Sequence, residues 1–118
     1  MKIITEKITI TENGEIISGA IKITDFSRLN ALAAIPLYNN EDNVNKVLAS
    51  ISVSANHIDD SPVMMEIVSD GNNQRKVEPL YFFKDIVPGT NINFQVMDLE
   101  LAGEDKYPYD IIIIFYCE

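Results

Sequence analysis

Residues 110–117 read Asp-Ile-Ile-Ile-Ile-Phe-Tyr-Cys, and this segment constrains the fold more than any other part of the chain. Nearly every side chain in it is β-branched or aromatic, which favours a pleated strand over a helix. Apolar side chains occupy both alternating sets of positions, so both faces of the strand have to be covered. The segment is therefore predicted to be a central strand between the core and a second layer, or a strand whose second face meets a partner chain.

The remainder of the chain consists of short apolar stretches separated by turn residues, which is typical of β-structure. Residues 3–11 and 47–55 alternate between apolar and polar side chains and are predicted to be half-buried strands. The Asn13-Gly14 pair predicts a hairpin turn after the first strand, because both central positions of a type I′ turn require a positive φ. Gly19 lies inside the return strand and predicts a bulge or a bend there.

Three further segments carry less regular patterns. Residues 26–40 fit a strand slightly better than a short helix, and Pro36 favours an edge or an end at that point. Residues 63–69 have an apolar centre that predicts burial on both faces. Residues 91–101 change the parity of their apolar positions near Met97, which predicts a β-bulge or a strand that changes sheets.

These patterns predict an all-β fold with about seven or eight strands and at most one short helix. The expected architecture is an antiparallel β-sandwich, jelly-roll or immunoglobulin-like in general shape. The chain has no tryptophan and one cysteine, so the hallmarks of a true immunoglobulin domain are absent. Its 118 residues are expected to form a single domain, residues 1–118, around one core.

Charge and cysteine usage argue against several classes of partner and site. The chain has 18 acidic and 9 basic residues, and its formal net charge of −9 repels phosphate backbones and anionic lipids. Free nucleic acid and membrane surfaces are therefore not expected as partners. Cys117 is the only cysteine, so no intrachain disulfide forms, and this side chain is predicted to be a small core hydrophobe.

The amino-terminal residues contain no signal-peptide core, because Thr5, Glu6 and Lys7 interrupt the apolar positions. Disulfide frameworks mark oxidising compartments, and this chain has none. The protein is therefore expected to be made in a reducing cytosol without a signal peptide. Incorporation into a larger particle is compatible with that origin.

The sequence offers no persuasive catalytic site. His57 is the only histidine, and no Gly-x-Ser-x-Gly sequence provides a nucleophile for it. Asp98 and Glu100 project from one face of a predicted strand, as a pair of glycosidase carboxylates would. The same spacing describes the solvent face of an amphipathic strand, which is the favoured interpretation. The chain is therefore predicted not to be an enzyme, with no catalytic residue and no cofactor.

Acidic residues near the last loop offer oxygen ligands of the kind that calcium binds. Glu104, Asp105 and Asp110 flank this loop and are the calcium candidates, although EF-hand spacing is absent and no metal site is predicted from them. Tyr107 and Tyr109 lie beside the same loop. Tyrosine rings in such positions stack on sugars or anchor protein interfaces.

The expected function is that of a structural or interaction protein that self-associates or docks in a larger assembly, such as a virion capsid, decoration layer or fibre. The two-faced segment 110–117 and the acidic charge that keeps free copies soluble underlie this expectation. The predicted interface residues are Tyr107, Tyr109, Ile112, Ile114, Tyr116, Tyr81 and Phe83. The alternative is a small carbohydrate-binding module, with or without calcium, that uses loop tyrosines and asparagines to bind a glycan. The absence of tryptophan counts against this alternative.

Overall fold

The computed structural model describes residues 2–22, 24–37, 47–55, 63–68, 79–85, 89, 91–99 and 107–118, apart from the side chains of residues 55 and 82–84. These residues form eight strands: β1 (Lys2–Ile10), β2 (Ile16–Lys22), β3 (Arg28–Leu37), β4 (Val47–Ala55), β5 (Val63–Val68), β6 (Leu80–Asp85), β7 (Asn91–Asp98) and β8 (Tyr109–Cys117). They contain no helix, and so none that is long and apolar enough to cross a membrane.

The strands form two four-stranded sheets, sheet A in the order β1-β8-β3-β6 and sheet B in the order β2-β7-β4-β5. Every neighbouring pair is antiparallel. The pairs β1–β8, β2–β7, β3–β6 and β4–β5 are those of one long antiparallel ribbon rolled up on itself, which is the jelly-roll arrangement. The predicted antiparallel β-sandwich is confirmed, and its strand order is that of the jelly roll.

Strand β8 lies in the centre of sheet A, between β1 and β3. Its alternate side chains face the core and are at most 3% exposed: Tyr109, Ile111, Ile113, Phe115 and Cys117. Each isoleucine buried in this way stabilises the fold by about 1.5–3 kcal/mol. The predicted central strand is confirmed, and so is Cys117 as a core residue, where burial raises the pKa of its thiol. The opposite side chains of β8 are half-buried, and the described residues place no second layer over them.

The Asn13-Gly14 turn joins the two sheets instead of closing a hairpin. Gly14 has a φ of 75°, and the Glu15 backbone N–H donates to the Glu12 carbonyl at 3.3 Å, so the tight turn forms as expected. However, β1 pairs with β8 and β2 pairs with β7. The predicted hairpin is wrong, because an Asn-Gly pair specifies the turn and leaves the pairing partner of each strand open.

Strands β2 and β7 pair without a register shift, so the bulge predicted at Gly19 does not form. Gly19 lies opposite Phe94, and a Cβ at position 19 would overlap the Phe94 ring. That ring is 6% exposed and packs in the core beside Phe115, with 6.1 Å between the two ring centroids. The glycine therefore makes room for an aromatic ring.

Buried and outward side chains alternate without interruption along the whole of β7, so the change of alternation predicted near Met97 is wrong. Its alternate side chains Ile92, Phe94, Val96 and Asp98 are buried, and Met97 is 41% exposed. The pairing with β4 is equally regular. The apolar residues that suggested a switch follow the strand: Leu99 comes after its last residue, and Leu101 lies outside the described residues.

Two other segments confirm one prediction and correct another. Residues 26–40 contain strand β3, as predicted, and Pro36 lies just before its end, beyond the part that pairs with β6. Strand β5 is an edge strand that pairs only with β4. Met64 in it is 68% exposed, so the predicted burial of this segment on both faces is wrong. An edge strand has too few neighbours to cover both faces.

Gly19→Ala is expected to lower the free energy of unfolding by about 1–3 kcal/mol, because the added methyl group overfills the space that the Phe94 ring occupies. In an open strand the same substitution raises stability by roughly 0.5–1 kcal/mol, so the sign of the change is diagnostic. Urea unfolding measures it. In a Phe94→Leu background the penalty should disappear, and a Gly19→Ala penalty of the same size there would contradict the ring contact as its cause.

Candidate functional site

The side of sheet A that turns away from the core carries apolar side chains on adjacent strands. The register aligns them in rows across β1, β8 and β3, and β6 adds one tyrosine. We call this surface the apolar face. Its residues are Ile3, Thr5, Lys7 and Thr9 of β1, Asp110, Ile112, Ile114 and Tyr116 of β8, Ala31, Ala33, Ile35 and Leu37 of β3, and Tyr81 of β6.

Large apolar side chains of this face are open to solvent. Ile3, Tyr81 and Leu37 are 59%, 58% and 45% exposed, and the isoleucines of β8 between them are half-buried. Single exposed apolar side chains are normal, whereas a contiguous apolar patch usually marks a surface that another molecule covers. Of the predicted interface residues, Ile112, Ile114, Tyr116 and Tyr81 meet on this face. The side chain of Phe83 lies outside the described residues.

Neighbouring strands of the apolar face carry side chains of different size, large on β8 and partly small on β3. Ile112, Ile114 and Tyr116 of β8 form what we call the ridge. Beside it on β3 lie Ala31 opposite Tyr116 and Ala33 opposite Ile114, which we call the valley. These alanines are 0% and 2% exposed although they face outward, because larger neighbours shelter them. Tyr81 of β6, opposite Ala31, bounds the valley on its other side.

Among the described residues, the charged side chains on this side of sheet A are paired at both ends, Arg28 with Asp85 at one end and Lys7 with Asp110 at the other. Lys7 Nζ lies 3.5 Å from Asp110 Oδ2, and the Thr9 hydroxyl donates to Asp110 Oδ1 at 2.5 Å. The hydrogen bond from Thr9, and after it the charge of Lys7, hold the pKa of the Asp110 carboxyl below its usual value. Between these two ion pairs the described side chains of the face carry no charge, so burying them would leave no unpaired ion.

Several predicted candidates receive no support or fall outside the described residues. Asp110 is engaged with Thr9 and Lys7 as above. The other calcium candidates lie outside the described part of the chain, and so do the carboxylate and the histidine considered for catalysis: Glu104, Asp105, Glu100 and His57. Across the described ranges, no group of three or more His, Cys, Asp or Glu side chains is arranged to hold a metal ion.

Asp98 lies inside the molecule at the end of β7 and is 3% exposed. Its Oδ1 accepts a hydrogen bond from the Tyr109 hydroxyl at 2.5 Å. Its Oδ2 accepts one from the Tyr107 hydroxyl at 2.5 Å and one from the Gly14 backbone N–H at 3.0 Å. Three donors satisfy a carboxylate that would otherwise be costly to bury. The interpretation of Asp98 as a solvent-facing residue is wrong, because β7 keeps its inward parity to its last residue.

The two loop tyrosines use their hydroxyls within the molecule. Tyr109 is 3% exposed, and its hydroxyl also lies 3.3 Å from the Leu48 carbonyl oxygen. Its predicted role in an interface does not fit this placement, since neither the ring nor the hydroxyl is available to a partner. Tyr107 is half-buried beside it, with 6.0 Å between the two ring centroids. Asp98 thus ties together the Gly14 turn, the end of β7 and the start of β8.

Sequence reasoning missed this cluster, although two signals pointed to it. The parity of Ile92, Phe94 and Val96 places Asp98 on the inward side of β7. Tyr107 and Tyr109 are two residues apart in the sequence, so two hydroxyl donors lie close together along the chain. A carboxylate at the end of an inward apolar set needs donors, and neighbouring tyrosines supply them.

The outer side of sheet B is polar but uncharged at its centre. Seven residues on three neighbouring strands line a shallow depression of about 410 Å³, five of them with polar side chains: Ser18 and Gly19 of β2, Asn93, Phe94 and Gln95 of β7, and Ser52 and Ser54 of β4. We call this surface the polar face. The serines of β4 lie on the polar side of this strand, as the alternation of residues 47–55 predicts, and their exposure is intermediate. The contribution of β2 and β7 became visible only with the strand order.

Sheet A therefore presents an apolar surface outward, whereas the outer side of sheet B carries hydroxyl and amide groups at its centre and the exposed apolar side chains Ile16, Met97 and Met64 beside them. Comparison with models of known protein families gives no match, and a search among curated proteins finds no relative. Function is accordingly inferred from the two faces and the buried groups of the chain itself.

Alkaline pH should weaken the fold through Tyr109. Burial and the Asp98 carboxylate raise the pKa of this tyrosine. A pKa that is higher in the folded state stabilises the protein below the unfolded value of about 10. That contribution is lost as the pH rises further, because the unfolded chain releases the phenolic proton first. We expect the free energy of unfolding to fall above pH ~10 in denaturant titrations.

Tyr109→Phe is the matched variant for this pH dependence. It should lower the free energy of unfolding at neutral pH by about 1.5–3 kcal/mol, through the lost hydrogen bond to a carboxylate. It should also flatten the decline at alkaline pH. A decline as steep as that of the unaltered chain would show that Tyr109 is not its source.

Proposed function

We propose that this chain is a non-enzymatic structural protein that associates with further copies of itself through the apolar face. The observation that carries the proposal is the exposure of Ile3 and Tyr81, at 59% and 58%, on a face whose centre is the half-buried ridge. A sheet that is apolar on both sides needs a cover on each side. Sheet B covers the inner side, and a second copy would cover the outer side.

The size of the apolar face is adequate for this role. Four strands spaced about 4.8 Å apart and about nine residues long, at ~3.3 Å per residue, present a projected area of roughly 550 Å². Specific protein interfaces bury about 600–1,000 Å² on each partner, and the relief of the face adds to its projected area. Two copies docked face to face therefore reach the lower end of the range for stable complexes.

Charge favours docking at this face over other surfaces. The chain carries a net charge of −9, so two copies repel each other wherever their carboxylates meet. On the outward side of sheet A, Asp110 is paired with Lys7 and Asp85 with Arg28. Contact between two such faces buries no unpaired charge, and the acidic groups elsewhere keep the other surfaces apart.

The edge of sheet A disfavours assembly through strand addition. Glu6 lies opposite Ile113 in the register of the edge strand β1, and so points to the inner side of the sheet. An inward-pointing charge on an edge strand is a known obstacle to pairing with a further strand. This supports association through the face of the sheet instead of its edge.

The assembly we propose is a virion shell, decoration layer or fibre. Jelly rolls occur in capsid proteins, in lectins and in cupins, so this part rests on analogy of fold. A small acidic chain with an uncovered apolar sheet suits a subunit that stays soluble until it is incorporated. We propose that it is made in a reducing cytosol and enters the particle from there.

Light scattering behind a sizing column, at several micromolar concentrations, tests the self-association. We expect a native mass that is a multiple of 13.3 kDa. Ile114→Glu should convert this species to a monomer, because it places an unpaired charge at the centre of the apolar face. Ser52→Glu puts the same charge on the polar face and should leave the mass unchanged. A clean monomer of the unaltered chain would refute the proposal.

A neutral glycan is the second candidate partner, and the polar face is the observation that favours it. Its serine, asparagine and glutamine side chains provide donors and acceptors without charge, which match the hydroxyl groups of a sugar. The depression of about 410 Å³ falls within the range of small-molecule sites. This location replaces the loop tyrosines, since Tyr109 is buried.

Screening a glycan array with and without calcium tests this candidate. We expect binding of a neutral oligosaccharide that weakens at least about tenfold in Asn93→Ala, by loss of a buried hydrogen bond. Ile114→Glu, on the opposite side of the molecule, should bind as the unaltered chain does. An array without any bound glycan removes the candidate.

A further inference from the structure

The turn between β1 and β2 contains the one Asn-Gly pair of the sequence, Asn13-Gly14. Asparagine is a thermolabile residue, and its side-chain amide is lost most readily when glycine follows, because no side chain then obstructs the next backbone nitrogen. Solvent reaches both residues: each is exposed, and no described atom lies within 4 Å of the place where a Cβ would stand on Gly14. Burial therefore does not protect this pair.

Deamidation at this pair needs no group from outside except water. The Gly14 backbone nitrogen forms a bond to Asn13 Cγ and gives up its proton. The bond from Cγ to Nδ2 breaks, and that nitrogen leaves as ammonia. Water then opens the resulting five-membered imide at one of its two carbonyl carbons, which leaves aspartate or isoaspartate at position 13.

The buried Asp98 holds the groups that have to react. The Gly14 N–H, which must lose its proton, donates to Asp98 Oδ2 at 3.0 Å. The Tyr107 hydroxyl, which donates to the same oxygen, lies 3.3 Å from Asn13 Oδ1. A hydrogen bond to a carboxylate that is 3% exposed stabilises the protonated nitrogen, and the hydroxyl restrains the side chain whose Cγ has to meet it.

We propose that Asn13 is a deamidation site that the contacts of Asp98 and Tyr107 keep closed in the folded protein. The site reacts when the Gly14 N–H leaves Asp98 and the Asn13 side chain leaves Tyr107. This opening detaches the turn and leaves the two sheets folded, so it is local. The modification is independent of the self-association proposed above.

Deamidation would also hinder the turn from closing again. A carboxylate at position 13 would be separated from Asp98 by the Tyr107 hydroxyl alone, and the two like charges repel each other. Isoaspartate adds a backbone atom to a turn whose ends are fixed by the bonds from the Glu15 N–H to the Glu12 carbonyl and from the Asp98 N–H to the Glu15 carbonyl. Loss of ammonia makes the step irreversible.

Peptide mapping by mass spectrometry tests the closed state by measuring the rate at which Asn13 converts at neutral pH. The folded chain should convert at least about tenfold more slowly than the same chain unfolded in urea, through the hydrogen bond from Gly14 to a charged group. Equal rates would overturn the inference. A faster rate in the folded chain would overturn it too, since Asp98 would then promote the reaction by accepting the proton.

Tyr107→Phe tests whether these contacts close the site, because it removes the hydroxyl and retains the ring. Exchange of the Gly14 amide hydrogen, followed by NMR, reports how often this N–H leaves Asp98. Exchange and deamidation should accelerate together, by at least about threefold, from the loss of a hydrogen bond. Tyr116→Phe removes a hydroxyl from the apolar face and should change neither rate.

Asp98→Asn is the second variant, since it leaves an uncharged acceptor for the Gly14 N–H, and it should accelerate both rates in the same way. Amide exchange at Ile113, in the central strand β8, reports global unfolding and should accelerate by a smaller factor than exchange at Gly14. Any folded variant in which exchange at Gly14 and deamidation do not rise together overturns the inference. Equal acceleration at Ile113 and Gly14 overturns the local opening.

Discussion

The burial of β8 is the interaction on which the rest of the structure depends. Its inward side chains, from Tyr109 to Cys117, form the middle of the core, and none is more than 3% exposed. A strand in this position needs neighbours on both sides, which are β1 and β3, and a second sheet over its inner face. Sheet B meets the second need. The outward isoleucines of the same strand then create the apolar face, so the stability of the core and the surface proposed for assembly have one origin in the sequence.

Local pattern was sufficient to predict the strands whose side-chain periodicity is regular. The apolar run of β8, the alternation of β4 and the strand in residues 26–40 all follow from neighbouring side chains. Local pattern could not predict features that depend on contacts between residues far apart in the sequence. The space left by Gly19 is decided by Phe94 on another strand, and the partners of β1 and β2 are decided by β8 and β7. A turn sequence contains no information about such partners.

The candidate site was predictable to the extent that it lies on β8. Ile112, Ile114 and Tyr116 were expected at an interface, and they form the ridge. The valley was not expected, because β3 shifts register between Leu29 and Ala31 on both of its sides. Strict alternation would give these two residues the same face, whereas Leu29 packs in the core and Ala31 points outward. The buried Asp98 was missed for a related reason: a carboxylate suggests solvent unless its hydrogen-bond donors are known.

The pairing of β1 with β8 also bears on how the chain reaches its native state. The hydrogen bond between the Thr9 hydroxyl and Asp110 spans 101 positions of sequence, and the whole β1–β8 ladder is similarly non-local. Folds dominated by such contacts close long loops before they gain stability, and they fold slowly. During synthesis β1 and β3 emerge before β8, so they lack their shared neighbour until nearly all of this sequence has left the ribosome. The isoleucine-rich strand that completes the core is thus also the one whose late arrival leaves unfinished chains with open sheet edges, the condition in which aggregation competes with folding.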